Sequence, residues 1–257
     1  MAIITKSRTE REEMRAAGAL VAKILQHLRE AVRPGITTGA LDALAASELK
    51  RHGAISNFRG YHDKLYFPGT ICASVNEEIV HGIPGRRLLK EGDILSIDFG
   101  ALYKGWNGDA AITVPVGKIS QEAERLLQVT QEALRRGIAE ARVGQRVQDI
   151  GRAVQGYVES EGCSVVRQYG GHGIGREMHE EPQVLNYIDQ SQKNPVLLPG
   201  MVIAIEPMVT LGRAETRVLG DHWTVVTADR SLAAHFEHTV AITEGEPDIL
   251  TLPREVP

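Results

Sequence analysis

Four carboxylates and one imidazole lie in stretches of the sequence with few residues that could pair with a buried charge. Together they could hold metal ions. The five residues are Asp98, Asp109, His172, Glu206 and Glu237. The acids interrupt apolar, strand-like runs, where an unpaired buried charge costs several kcal/mol, and the histidine falls in a glycine-rich bend. Such a set needs a shared source of positive charge, which two divalent cations would supply. The alternative is a group of strand-end acids that face solvent, and their apolar neighbours argue against it.

The first two acids are predicted to lie on one face of a β-hairpin. Positions 95, 97 and 99 are apolar, so Asp98 belongs to the opposite face of its strand. Asp109 follows a plausible turn at Lys104 and Gly105. With a turn there, the period-two alternation of side chains places Asp98 and Asp109 on the same side of the sheet.

Length and composition limit the class of protein. The chain has 257 residues, of which 42% are hydrophobic and 24% charged, as in ordinary soluble globular proteins. A net charge of −4 gives no general reason to bind nucleic acid or an anionic membrane. Cys72 and Cys163 imply no disulfide framework, and no run approaches transmembrane length. We therefore expect a cytoplasmic protein with no membrane partner and no specific nucleic-acid partner.

A weak internal repeat divides the chain. The segment RPGITTGALDALAASELKRHGA resembles RVGQRVQDIGRAVQGYVESEGC, with a constant offset of 109 residues between positions 35 and 144 and between 53 and 162. Each copy follows a longer amphipathic helix, predicted over about 9–32 and 121–141, and Thr37 or Thr38 is the expected N-cap of the next helix. Chance similarity of two amphipathic helices is the alternative. We predict one domain with pseudo-symmetric halves, about 1–118 and 119–257.

Five stretches together resemble the type I methionine aminopeptidases, from about Thr5 to the end of the chain. They are SVNEEIVHGIP, GDILSIDFGALYKGWNGDAAITVPVG, GGHGIGREMHEEP, PGMVIAIEPMV and DHWTVVTADRSLAAHFEHTVAIT. The resemblance implies the α+β pita-bread fold, with two pseudo-symmetric halves around a curved antiparallel sheet and helices outside. It also implies that the five residues named above bind two divalent ions, bridged by Asp109 and Glu237.

The implied activity is hydrolytic removal of the initiator methionine from nascent polypeptides whose second residue is small. The resemblance assigns Glu206 to carry a proton from the nucleophile toward the leaving amine. The candidate ions are Co²⁺, Mn²⁺, Fe²⁺, Zn²⁺ and Ni²⁺. A carboxylate-rich set with a single imidazole favours Mn²⁺, Fe²⁺ or Co²⁺.

Two further histidines match residues that face the substrate in this family. By resemblance, His179 donates to the developing oxyanion and His81 contacts the peptide near the scissile amide. The alternative is an ordinary surface histidine beside a turn. Both lie next to glycine- or proline-marked bends beside the metal motifs, which favours the functional interpretation. His235, two residues before Glu237, is predicted to share its strand face and support it.

The expected methionine pocket is apolar. By resemblance, Cys72 lines it and Trp223 stands at its mouth, while Tyr61 and Phe67 are the favoured aromatic wall. About three extra residues lie between positions 61 and 68 relative to the common bacterial spacing. Met178 stands where a phenylalanine is common, which softens one side of the pocket.

The sequence also bears on a monovalent ion, on partners and on two rival functions. The family implies a Na⁺ or K⁺ site near Asn76, Glu78 and Ala233. A monomer is expected, with possible docking to the ribosome. One rival is an Xaa-Pro aminopeptidase or prolidase of the same fold, although HEEP after GHGIG looks more like a methionine aminopeptidase. Another is a non-catalytic adaptor that binds RNA or proteins, which the filled ligand positions and the negative net charge oppose.

Overall fold

A computed structural model describes residues 2–61 and 65–253, and there four helices pack against antiparallel strands. The helices are α1 (Arg8–Ala31), α2 (Thr38–His52), α3 (Gln121–Ala139) and α4 (Val147–Ser160). The strands are β1 (Ile55–Ser56), β2 (Cys72–Val75), β3 (Glu78–Val80), β4 (Ile94–Tyr103), β5 (Trp106–Pro115), β6 (Ser164–Val165), β7 (Gly171–Gly173), β8 (Glu180–Val184), β9 (Val202–Ile205), β10 (Met208–Thr210), β11 (Thr216–Val218), β12 (Val225–Thr227), β13 (Ala233–His235), β14 (His238–Ala241) and β15 (Asp248–Ile249). None of these helices is both long and apolar enough to cross a bilayer.

The β4–β5 hairpin is the longest strand pair of the first half. It turns at Lys104 and Gly105, as predicted, and its register sets Gly100 opposite Asp109. β1 and β2 flank β4 on its other edge. In the second half the largest sheet has the order β15-β14-β9-β7-β8, beside a smaller sheet β13-β10-β6. A third small sheet joins β11, β12 and β3. Every strand pair assigned in the described residues is antiparallel.

Helix α1 covers the outer face of the first sheet. It begins at Arg8, one residue before the predicted start, and its N-cap is Ser7, whose side chain and Glu10 form a reciprocal capping box. Leu20, Ile24 and Leu28 are fully buried and share one core cluster with the apolar positions 95, 97 and 99 of β4. Each such side chain contributes roughly 1.5–3 kcal/mol by leaving water. This burial leaves the opposite face of β4 for its polar residues, Asp98 among them.

The second half repeats this arrangement with α3 and α4. Leu126 of α3 and Val154 and Val158 of α4 lie in one core cluster with Val209 and Ala234, which belong to the sheet β13-β10-β6. Helix α3 begins at Gln121 as predicted and ends at Ala139, two residues before the predicted end. Helix α3 is amphipathic, with one side covering this core and the other facing water.

The residues that open the internal repeat have the same backbone geometry in both halves. Gly35 and Gly144 have φ angles of 86° and 88°, which favour glycine. Isolated bridges join Thr37 to Leu88 and Arg146 to Val196, again at an offset of 109 residues between positions 37 and 146. Thr37 is the N-cap of α2. The two segments therefore share these backbone features.

The halves meet along a short antiparallel seam between β5 and the segment that joins β13 to β14. Ala111 and Glu237 exchange two backbone hydrogen bonds, of 3.4 and 2.9 Å. On one side of this pair the Thr239 hydroxyl accepts from the Asp109 N–H (3.1 Å) and donates to the Asp109 carbonyl (2.8 Å). On the other side the Thr113 hydroxyl does the same for the N–H and carbonyl of His235. Two threonine side chains thus complete the ladder where the backbones diverge.

The contact of α1 with β5 predicts a pair of opposite stability effects. A Cβ atom at Gly108 would lie 2.8 Å from the Gly18 backbone nitrogen, so α1 would have to move off the sheet. Gly108→Ala should lower the free energy of unfolding by about 1–3 kcal/mol, as overpacking does. Gly156→Ala is the matched control, because this exposed position of α4 has no atom within 4 Å of a new Cβ. Alanine there should stabilise by about 0.5–1 kcal/mol. Urea denaturation of the metal-free proteins measures both changes in the free energy of unfolding. Two changes of the same sign would contradict the close packing of α1 against β5.

Candidate metal centre

The five predicted ligands all line one cavity, although two of them lie outside the strands predicted to hold them. Asp98 and Asp109 project from the same face of the β4–β5 hairpin, as predicted. Glu206 falls in the break between β9 and β10, and Glu237 falls between β13 and β14. The sequence placed both acids within apolar, strand-like runs, and in the structure each run breaks at the acid. Pro207 has no N–H to continue a ladder, and Glu237 instead pairs with Ala111 across the seam.

His172 was predicted in a glycine-rich bend and lies in a strand, β7. The glycines beside it permit close approach of the neighbouring strands. A Cβ at Gly171 would lie 2.1 Å from the Ala204 carbonyl oxygen, and one at Gly173 would lie 2.2 Å from that of Glu181. The glycines therefore let β7 fit between β8 and β9, with His172 facing the acids.

The His172 ring is oriented by the backbone of the next residue. Its Nδ1–H donates to the Gly173 carbonyl at 2.9 Å, because a carbonyl oxygen can only accept. Nε2 is then left with a free lone pair and lies 3.8 Å from both Asp109 Oδ2 and Glu206 Oε1. One ligand atom each of Asp109, His172 and Glu237 lies within 4.8 Å of the other two. This is a donor set small enough to share a cation.

Burial makes the charged forms of these acids costly. It raises the pKa of Asp98 to about 7. Burial and then repulsion from Asp98 raise the pKa of Glu206 to about 8. The pKa values of Asp109 and Glu237 rise well above their ordinary values, first from burial and then from neighbouring acids. Burial also lowers the pKa of His172 to about 3, so its imidazole is neutral and able to ligate.

These residues fit a bound cation. Asp98 Oδ1, Asp109 Oδ1 and Glu237 Oε1 are buried without a hydrogen-bond partner, and buried carboxylate oxygens normally have one. Four acids with little exposure and one neutral imidazole also lack a counter-charge among themselves. A divalent ion would satisfy both deficits, and carboxylate and imidazole are common ligands for such ions.

Three other histidines surround the acids. The ring of His179 lies 4.3 Å from that of His172 between centroids. His81 packs edge-on against Tyr169 at 5.4 Å and has a φ angle of 59°, a left-handed conformation that strains a residue with a side chain. Such strain is often found at functional sites. The sequence predicted that His235 supports Glu237. In the structure His235 Nε2 lies 3.8 Å from Glu206 Oε2, so Glu206 is its near neighbour.

The cavity beside the acids has a volume of about 500 Å³ and an apolar wall. Phe67 and Cys72 are almost fully buried, and Cys72 pairs with Asp98 across β2 and β4. The Trp223 ring meets Phe67 edge-on at 5.3 Å, and Tyr61 meets Trp223 at 6.5 Å. Tyr61 is 44% exposed and stands at the rim. All four predicted pocket residues line the cavity.

Comparison with known proteins decides the family. Residues 12–244 match metallopeptidase family M24. The chain is 52% identical over 249 residues to methionine aminopeptidase 1 of Bacillus subtilis, covering 97% of this chain and 99% of that one. It superposes on the crystal structure of methionine aminopeptidase from Rickettsia prowazekii with a TM-score of 0.94 and 40% identity, covering 98% and 100% of the two chains.

The chain belongs to metallopeptidase family M24. The resemblance drawn from its motifs is therefore confirmed, as is the pita-bread fold. A prolidase from Pyrococcus furiosus shares the fold of this M24 peptidase with a TM-score of 0.77 at 22% identity, covering 98% of this chain and 66% of that one. At that identity the likeness concerns the fold alone.

Some residues of the M24 site were not predicted from the sequence. Phe58, Tyr169 and Gln183 also line the cavity. Only Tyr169 had a signal, since it directly precedes the glycine-rich GGHGIG motif. Met178, singled out from the sequence, lines the cavity as well. The extra residues near position 62 lie partly outside the described chain, at 62–64.

The residues predicted to hold a monovalent cation lie outside this cavity. The Asn76 carbonyl accepts from the Ala233 N–H at 2.9 Å, and Asn76 has a φ angle of 60°. The Glu78 carboxylate accepts from Arg87 and from the Val75 N–H. A Na⁺ or K⁺ site there stays a prediction.

Removal of a single acid of the M24 centre should release metal. Asp109→Asn or Glu237→Gln gives a bound cation one carboxylate ligand fewer. Metal affinity should therefore fall by more than the roughly 10–100-fold typical of residues that only support ligands. Calorimetric titration with Mn²⁺ measures it. Glu48→Gln is the control, because Glu48 is a buried acid outside the cavity that pairs with Arg51. Wild-type Mn²⁺ affinity in the Asp109 and Glu237 variants would refute the ligand assignment.

Proposed function

We propose that this protein is a methionine aminopeptidase, which hydrolyses the N-terminal methionine from new polypeptides whose second residue is small. The observation that carries the proposal is the cavity itself, where five side chains able to bind metal lie beside an apolar wall. Relatives that bear this name match the chain over nearly its whole length. We also propose that the halves 1–118 and 119–257 act as one catalytic domain, because the ligands come from both.

Asp98, Asp109, His172, Glu206 and Glu237 would hold two divalent cations. Asp109 and Glu237 are the proposed bridging ligands, and support comes from the seam that brings their backbones together. When bound, such ions supply Lewis acidity and a water of lowered pKa. The candidate ions remain Co²⁺, Mn²⁺, Fe²⁺, Zn²⁺ and Ni²⁺, with Mn²⁺, Fe²⁺ or Co²⁺ favoured by the carboxylate-rich donors.

Glu206 is the proposed proton carrier. It accepts a proton as the nucleophile forms and delivers it to the leaving amine. His172 and His235 lie 3.8 Å from its two carboxylate oxygens and restrict where those oxygens can move. The Asn186 side chain donates to the Glu206 carbonyl at 2.9 Å, which fixes the backbone in the break between β9 and β10.

His179 and His81 are the proposed substrate contacts. Burial lowers the pKa of both, to about 4 for His81, so each ring is neutral at physiological pH and can donate from one nitrogen. His179 would donate to the scissile carbonyl oxygen as negative charge develops on it. His81, held by its backbone conformation and by Tyr169, would contact the peptide near the scissile amide.

The apolar wall is the proposed methionine pocket. Cys72, Phe67 and Trp223 offer polarisable or aromatic surface to an unbranched thioether, and Tyr61 closes the rim. The acids lie directly beside this wall, since Cys72 is the cross-strand neighbour of Asp98. The first residue of the substrate therefore fills the pocket while its scissile bond lies over the acids. Ribosome docking, a monomeric state and a cytoplasmic location stay predictions.

The proposal predicts a sharp substrate preference. Purified enzyme with added Mn²⁺, Fe²⁺ or Co²⁺ should release methionine from Met-Ala-Ser with a kcat/KM about 100-fold above that for Met-Leu-Ser, because a bulky second residue does not fit beside His81. Liquid chromatography of the released amino acid measures both rates. Ala-Pro-Ser is the comparison substrate. Faster cleavage of Ala-Pro-Ser would favour the proline-specific reading, and inactivity on every peptide would favour the adaptor.

The proposed role of His179 predicts a loss confined to turnover. His179→Ala should lower kcat by about 10²–10³-fold, since the lost donor acts mainly in the transition state. Metal content, measured by atomic emission, should be unchanged. His52→Ala in α2 is the control, because His52 does not line the cavity. Loss of metal from the His179 variant would instead assign it as a ligand, and a change in KM alone would assign it to binding.

A further inference from the structure

The loop that carries His179 connects β7 to β8, and its first residues are held by hydrogen bonds from another part of the chain. This His179 loop comprises residues 174–179. Asn107 in β5 donates through its side-chain amide to the carbonyls of Gly175 (3.0 Å) and Arg176 (2.9 Å). Arg176 in turn donates to the Gly105 carbonyl, and its guanidinium lies 3.7 Å from the Trp106 ring centroid. The first two residues after Ile174 are thereby tied to the hairpin of the first half.

The other end of the His179 loop is held by an ion pair with the N-terminal segment. Lys6 Nζ lies 2.6 Å from Glu180 Oε2, and the two side chains are 3% and 6% exposed. The second oxygen of Glu180 accepts from the Glu177 N–H at 3.3 Å. Glu180 directly follows His179, so the ion pair fixes the backbone position from which the His179 ring projects.

Lys6 is itself held in place. Its N–H donates to the Gly200 carbonyl at 2.7 Å, and its carbonyl accepts from Arg11 at 3.1 Å. The space around the ion pair is filled, because a Cβ at Gly175 would lie 2.5 Å from both Lys6 Cε and Glu180 Oε1. The Lys6 ammonium also donates to the Ile4 carbonyl at 3.2 Å, within the same N-terminal segment. Backbone bonds already anchor this segment, so the lysine side chain adds a fixed contact between it and the His179 loop.

We propose that Lys6 is a positioning residue for His179, acting through Glu180 on the loop that carries the ring. The inference rests on the role proposed above for His179 as a donor to the scissile carbonyl. A buried ion pair is often no more stabilising than a pair of apolar side chains of similar volume. The directional contact between Lys6 and Glu180 fixes the position of the loop, which an apolar pair would leave free to slide.

The test combines Lys6→Met with His179→Ala. Alone, Lys6→Met should lower kcat about 10-fold or more, within the roughly 10–100-fold range for residues that support a functional group, while KM changes less than about twofold and metal content stays the same. Lys6→Arg keeps the charge and should restore part of the turnover. In the His179→Ala background, Lys6→Met should cause no further loss of kcat, because both changes remove the same interaction.

A control separates positioning from general damage to the fold. Arg15→Met breaks an ion pair between α1 and Asp248, away from the His179 loop. It should lower the melting temperature and leave kcat unchanged. If Lys6→Met does not fold because Glu180 is left unpaired, Lys6→Met/Glu180→Met removes both charges and should show the same loss of kcat.

Three outcomes would overturn the inference. They are wild-type kcat in a folded Lys6→Met or double-Met variant, an equal loss of kcat from Lys6→Met with and without His179, and loss of metal. All three require a wild-type enzyme that releases methionine. Failure of the proposed function would instead appear as a wild-type enzyme without that activity.

Discussion

Two segments more than a hundred residues apart in the sequence pair at Ala111 and Glu237, and the metal centre depends on that pairing. The seam brings Asp109 of the first half beside Glu237 of the second, with Thr239 and Thr113 completing the hydrogen bonds on either side. Without this pairing, the acids of the two halves would not be held together. The joining of the halves therefore creates the donor set, and neither half holds it alone.

The apolar cores behind the strands offset the unfavourable free energy of placing these acids together. Bringing buried carboxylates together opposes folding through desolvation and mutual repulsion. Burial raises the pKa of Asp98 to about 7, and burial together with repulsion from Asp98 raises the pKa of Glu206 to about 8. The core beneath α1 and the core beneath α3 and α4 lie on the outer faces of the strands. Their burial stabilises strands whose inner faces are unfavourable until a cation binds, so metal binding and fold stability are linked.

Particular residues show where inference from sequence succeeds. The position of Asp98 beside Asp109 followed from alternation in one hairpin with one turn, and both are local properties. The strand breaks at Glu206 and Glu237 were not predicted, since apolar runs look like strands whether or not the chain breaks within them. His172 was placed in a bend because glycines are typical of bends. Only the neighbouring backbones show that these glycines permit a tightly packed strand.

The sequence by itself determined the donor types, the N-cap of α2, the main hairpin and the repeat, because each depends on residues close together in the chain or on recognisable motifs. Tertiary structure alone decided the seam at Ala111, the left-handed backbone of His81 and the contact of Lys6 with Glu180. These depend on distances between segments far apart in the sequence. Such distances are set by the packing of whole helices and sheets, and no local pattern of residues encodes them.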